Sequence, residues 1–281
     1  MKEIIRKTLP HAVAVVLFVI ATMVYFSPMF LEGKQLRQHD ILQFSGMAKE
    51  VIEYRERTGN EALWTNSIFS GMPAYQISVK FPNNWLNYIS SFLSLGLPTP
   101  AYMMFIAFLG FYIMLLCFRV NPWLAIAGAF AYGLSTYFLL IAGAGHNTKM
   151  RAMAYMPLVI GGLYLAYTRG KIWLGAMLVC VFLGLQIRTG HLQITYYTAI
   201  VVLIFMIYES VRIYKENLYA GFLKTSAAMM IAVALALGVN LTSTLLTAEY
   251  TPYSTRGQSE LTDDTGNQTT GLDKSYILND Y

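Results

Sequence analysis

Apolar runs long enough to cross a lipid bilayer recur along almost the whole chain, and they constrain its fold more than any other feature. A helix rises about 1.5 Å per residue, so it needs about 20 apolar residues to cover the hydrocarbon core. About seven segments approach that length, at 9–31, 99–118, 123–143, 152–168, 172–187, 194–209 and 220–245. With 56% hydrophobic and only 12% charged residues, the chain falls outside the range of soluble globular domains. The expected fold class is an all-α polytopic membrane protein with about seven transmembrane helices. The first run, 9–31, is too long for a signal peptide and lacks a small-residue cleavage site, so it reads as an uncleaved span.

The links "FRVNPW", "AGHNTKMRA", "TRGKI", "QIRTGHLQ" and "YESVRIYKEN" are brief, which makes consecutive spans antiparallel neighbours. With the N-terminus in the cytoplasm beside Lys2, Arg6 and Lys7, the inner links hold Arg119, Arg169, Lys171, Arg212, Lys215 and Lys224, against only Glu209 and Glu216 as acids. That is the bias of the positive-inside rule. It places the turns after the third and fifth spans outside, where Lys149, Arg151 and Arg188 go against the rule. The net charge of +5 is spread over span ends and forms no basic stripe, which argues against a nucleic-acid partner. Cys117 and Cys180 lie in apolar runs and offer neither a disulfide framework nor a CxxC metal site.

The long connection is the first, residues 32–98. Within 41–57, Ile41, Phe44, Ala48, Val51 and Ile52 fall at helical spacing, opposite Lys49, Glu50, Glu53 and Arg57, as in a helix lying along the outer membrane interface. Trp85, Tyr88 and Phe92 suit an interfacial belt. Residues 1–248 therefore read as one transmembrane module. The polar stretch 249–281 reads as the start of an extracytoplasmic segment that continues further.

Polar chemistry collects on the outer side. Asp40 has two compatible roles, as N-cap of the interfacial helix or as a proton acceptor at the water boundary. His146, Asn147, Lys149, Arg151, Arg188, His191 and Gln193 lie on the same face, where cations and amides can clamp a phosphate or a sugar. The alternative is that Lys149 and Arg151 snorkel to lipid phosphates while the histidines cap span ends. A divalent metal held by Asp40, His146 and His191 is a further option, with no characteristic spacing behind it. Glu249, Arg256 and Glu260 read as a solvated charge cluster. Gly143 with Gly145, and Gly161 with Gly162, read as sites of close helix packing.

The stretches "RQHDILQF", "GHNTKM", "TGHLQITYY" and "EYTPYSTRGQSELT", in this order and on one side of the membrane, resemble the YfhO-type bacterial membrane proteins, regarded as glycosyltransferases of the GT-C fold. The resemblance covers essentially the whole chain, although family members are longer. It implies a GT-C-like N-terminal module with a large first extracytoplasmic loop in the bacterial cytoplasmic membrane. The implied donor is a polyprenyl-phosphate-linked sugar, and the implied acceptor is an envelope glycan or lipid. An acid in the first outer loop acts as general base, and Asp40 matches that position, with His39 beside it and Gln43 in the same motif as a substrate contact. Donor-phosphate contacts then fall to Lys149, Arg151 and Arg188. Many GT-C enzymes carry a paired acidic motif, whereas this loop has His39–Asp40, so metal dependence stays open. A transporter or flippase of lipid-linked precursors, or a non-catalytic scaffold, are the competing classes. Against the transporter, the expected span centres carry almost no charge.

Overall fold

The computed structural model describes residues 2–254, and these are mainly helical. The helices are α1 (Lys2–Tyr25), α2 (Ser27–Leu31), α3 (His39–Thr58), α4 (Leu86–Leu93), α5 (Ala101–Cys117), α6 (Pro122–Gly133), α7 (Thr136–Ala144), α8 (Asn147–Tyr167), α9 (Ile172–Arg188), α10 (Leu192–Glu216), α11 (Tyr219–Val239) and α12 (Leu241–Tyr250). Two short strands, β1 (Trp64–Thr65) and β2 (Met72–Pro73), pair antiparallel with Trp64 opposite Pro73.

Among the described residues three helices are long and apolar enough to cross a membrane, Ile5–Tyr25, Leu192–Glu216 and Tyr219–Val239. The count rises to four if α6 and α7 form one span bent by 43°. This is the composition of a helical membrane protein. Large apolar side chains point outward along α10 and α11, with Leu203, Ile204, Met230 and Ile231 all exposed, and water would not tolerate so extended an apolar surface.

The helix ends differ from the sequence expectation in several places. The run 9–31 stops at Tyr25 and resumes as α2; 123–143 breaks around Leu134 and Ser135; 220–245 breaks at Asn240. The fourth helix starts earlier than expected, at Asn147, so Lys149 and Arg151 are helical residues instead of turn residues. The expected inner link at 208–217 is also helical as far as Glu216. Glu209 is therefore no link residue. It is fully buried, accepts a hydrogen bond from Thr168 Oγ1 (3.1 Å) and pairs with Arg212 (2.6 Å), which also donates to the Tyr167 carbonyl at the end of α8.

The chain divides into two compact units, Met1–Gly46 with Phe81–Asn240 and Met47–Lys80 with Leu241–Tyr281. In the first, α8 is the central helix, packed on both α5 and α9. The expectation for Gly161 and Gly162 holds. A Cβ on Gly162 would meet the Gly175 carbonyl of α9 at 2.9 Å, and one on Gly161 would meet Met114 Cα of α5 at 3.2 Å. Small residues at both crossings let backbones approach, which is how helices gain packing where lipid removes the hydrophobic drive. Gly143 does not fit that pattern, since a Cβ there would meet nothing within 4 Å.

In the second unit, the Glu50 carboxylate accepts hydrogen bonds from Thr65 Oγ1 and from the backbone N–H groups of Asn66 (3.0 Å) and Ser67 (3.2 Å). Arg55 forks onto Glu61 at 2.6 and 2.7 Å and donates to the Ser78 carbonyl. These contacts tie residues 60–78 to α3.

Candidate functional site

The site is built where α3 begins beside the α7–α8 turn. The Gln38 carbonyl accepts from Leu42 N–H at 3.1 Å, so α3 starts at His39 and Asp40 lies inside its first turn. The N-cap role expected for Asp40 is thereby corrected. A carboxylate in the first turn still complements the helix dipole, but its side chain serves another partner: Asp40 Oδ2 lies 2.5 Å from His146 Nδ1.

What brings these two together is the end of α7. Gly145 takes the left-handed conformation (φ 97°), and the N–H groups of Gly145 and His146 both bond to the Ile141 carbonyl. A Cβ on Gly145 would stand 2.9 Å from Gln38 Cβ and 3.3 Å from Asp40 Cβ, so the chain entering α3 presses directly on this turn. Gln38 holds the two segments together. Its Nε2 donates to the Ala142 carbonyl (2.6 Å) and to Asn147 Oδ1 (3.1 Å), while Asn147 Nδ2 donates back to Gln38 Oε1 (3.2 Å). Both side chains are buried.

Beyond the Asp40–His146 pair opens a cavity of about 420 Å³, walled by Ile41, Phe44, Tyr102 and Met103 on its apolar side and by Asn147, Thr148, Arg151 and His191 on its polar side. The N-terminus of α8 opens onto it, its Asn147 N–H bonded to the Gly145 carbonyl (2.7 Å). Arg151 Nε and His191 Nε2 are buried there without a hydrogen-bond partner. Burial holds the His191 imidazole below its usual pKa, and its neighbours Lys149 and His146 push it the same way. An unpaired guanidinium nitrogen and a helix N-terminus together make a place that favours an anion.

Of the residues expected from sequence, Asp40, His146, Asn147, Arg151 and His191 line this cavity. The others do not. His39 bonds to Gln43 on the exposed side of α3 (2.9 Å), and Lys149 lies over the Tyr137 ring, 5.0 Å from its centroid. Arg188 donates to Asn87 Oδ1, and Gln193 to Tyr197 Oη (2.7 Å). Among the described residues no three His, Cys, Asp or Glu side chains are grouped to hold a metal ion, so the Asp40–His146–His191 metal set does not form. Glu249 is exposed on α12, and Arg256 and Glu260 lie outside the described residues. Sequence reasoning passed over Gln38, Gly145 as a turn, and Tyr102. Gln38 stood inside the motif, immediately before a predicted helix, which was the available signal.

No protein-family model, curated protein or solved structure matches the chain.

Proposed function

We propose that this protein is a membrane glycosyltransferase with a GT-C-like arrangement of about seven spans and an extracytoplasmic site. It transfers a sugar from a polyprenyl-phosphate donor to an envelope glycan or lipid. The observation that carries the proposal is the Asp40–His146 pair on the rim of a cavity whose wall holds two buried, unpartnered nitrogens, Arg151 Nε and His191 Nε2. The order of the motifs given above supports the same reading.

In this reading His146 holds one oxygen of Asp40, leaving the other free to take the proton of the acceptor hydroxyl. The hydroxyl oxygen bonds to the anomeric carbon while the bond from that carbon to the donor phosphate breaks. The departing lipid phosphate gathers negative charge, which Arg151 and the α8 N-terminus stabilise. One displacement inverts the anomeric centre. The apolar wall of Ile41, Phe44, Tyr102 and Met103 keeps bulk water from competing as acceptor.

Asp40→Asn tests the assignment. Asparagine keeps an oxygen for His146 and a small polar side chain in the first turn, but cannot accept the proton. Membranes carrying the variant, supplied with radiolabelled polyprenyl-phosphate sugar, should bind donor normally and lose at least about a hundredfold in transfer rate. Near-normal transfer would reject Asp40 as the base. Movement of an intact lipid-linked precursor across the membrane, with no sugar transfer by the native protein, would favour the transporter reading instead.

A further inference from the structure

A second cavity, of about 350 Å³, lies where the end of α1, α2 and the segment before α3 meet α7. Its walls are Tyr25, Phe26, Met29, Leu36 and Leu139, and it belongs to neither the Asp40 pair nor the anion-favouring wall. We propose that it holds one acyl chain of an anionic membrane phospholipid, whose phosphate pairs with Lys34.

Three observations choose this occupant. Most of the lining is apolar, with Tyr25, Lys34 and Gln35 bringing the polar groups, so along the side formed by Phe26, Met29, Leu36 and Leu139 hydrocarbon fills the space better than solvent does. The cavity adjoins the end of a membrane-length helix, where Tyr25 lines it and the neighbouring Val24 and Leu31 are strongly exposed, so hydrocarbon is the medium at its mouth. Lys34 is the one ionisable cation among the lining residues, and no carboxylate lines the cavity. Its ammonium is exposed and rests 2.5 Å from Glu32, an exposed pair that a lipid phosphate can replace at little cost. A chain in the cavity with its headgroup on Lys34 would brace α7 from behind. Ala142, whose carbonyl Gln38 caps, is also part of the cavity wall.

Gly143 gives a direct test, because it lines the cavity and a side chain added there meets nothing within 4 Å. Gly143→Leu adds a bulky apolar side chain at the cavity wall, in a helix that leucine favours over glycine. The full chain, purified in detergent, is titrated with dioleoyl phosphatidylglycerol or dioleoyl phosphatidylcholine, following the thermal midpoint and the number of lipids retained by native mass spectrometry. The native protein should keep one phosphatidylglycerol and gain several degrees from it, with phosphatidylcholine doing much less. Lys34→Gln should weaken phosphatidylglycerol binding about tenfold, the scale of one charge-assisted contact. Gly143→Leu should lose the lipid-dependent gain without a lower lipid-free midpoint, and Asp40→Asn should behave as native. Equal stabilisation of Gly143→Leu and native protein would overturn the proposal, as would undiminished headgroup selectivity in Lys34→Gln, a surface change that leaves the fold intact. Stabilisation by a polyprenyl phosphate and none by phosphatidylglycerol would also overturn it, giving the cavity to the donor.

Discussion

Gln38→Leu should cost stability and activity together, because one side chain closes the turn that presents His146 and fixes the start of the helix that presents Asp40. Leucine preserves the approximate volume and removes three hydrogen bonds, to the Ala142 carbonyl, to Asn147 Oδ1 and from Asn147 Nδ2. The Ala142 carbonyl belongs to the last turn of α7, where carbonyls lack intrahelical partners, so Gln38 is its cap. Orphaning a buried polar group costs about 1 to 3 kcal/mol, and two are orphaned, the carbonyl and the Asn147 amide. Partial relaxation toward the neighbouring cavities brings the expected loss to about 2 to 4 kcal/mol. Positioning adds a kinetic effect: if slack at the turn removes about 1.4 kcal/mol of Asp40–His146 alignment in the transition state, transfer slows about tenfold.

The assay is thermal unfolding in detergent of Gln38→Leu, Asn147→Leu and the double variant, with transfer rates measured in parallel. Because the two amides bond reciprocally, removing both should cost less than the sum of the single losses by about 1 to 2 kcal/mol. Additive losses would refute the reciprocal pair. An unchanged midpoint in Gln38→Leu would refute its role as the clamp of the α7–α8 turn. Gln38→Glu should be worse than leucine, since its carboxylate would face the Ala142 carbonyl with no donor between them.

Two further outcomes follow from buried and loop charges. Arg212→Ala leaves Glu209, fully buried, without its cation and should cost about 3 kcal/mol by denaturant unfolding, whereas adding Glu209→Gln should restore most of the loss. The Thr65 hydroxyl first, helped by the Asn66 and Ser67 amides against an opposing desolvation, holds the Glu50 carboxyl below the usual carboxylate range. A lowered folded pKa stabilises above the unfolded value, and that stabilisation is lost as pH falls through the folded one, so the protection of the Asn66 and Ser67 amides relative to their intrinsic exchange rate should fall with acid in the native chain and show no such step in Glu50→Gln.

Helix content was legible in the sequence, because it follows from local pattern; of the site residues, Asp40, His146, Asn147, Arg151 and His191 come together as expected, whereas His39, Gln43, Lys149, Arg188 and Gln193 do not. A long apolar run has few alternatives to a helix, and "GHNTKM" and "RQHDILQF" announce themselves as polar interruptions. What was not legible was register. Asp40 reads equally well as a cap from its position before an amphipathic run, and only the Gln38 carbonyl accepting from Leu42 shows that the helix starts earlier. Lys149 and Arg151 are two residues apart on one helix and therefore point in different directions, one over Tyr137 and the other into the cavity, a distinction that residue type alone does not carry. Glu209 was misplaced for a similar reason: hydropathy ends a span at the first charges, whereas a paired Glu and Arg can prolong a helix inside the protein.

The same physics explains why so few helices pass as membrane spans by length and composition. The three that pass, α1, α10 and α11, are mostly exposed along their apolar windows, and a lipid-facing helix must match the hydrocarbon thickness by itself. Helices α5 and α9 have 17 residues each, about 26 Å of rise, and α8 carries two cations near its start, yet α8 packs on both of the others through glycine contacts. A helix surrounded by protein is released from the lipid requirement, because its neighbours satisfy its polar groups and cover its short ends. That release is what lets α8 open its N-terminus, Asn147 and Arg151 onto a cavity, and lets α6 and α7 bend by 43° to deliver the Gly145 turn. Helices α5 and α9 are apolar throughout and fall short of the three that pass in length alone.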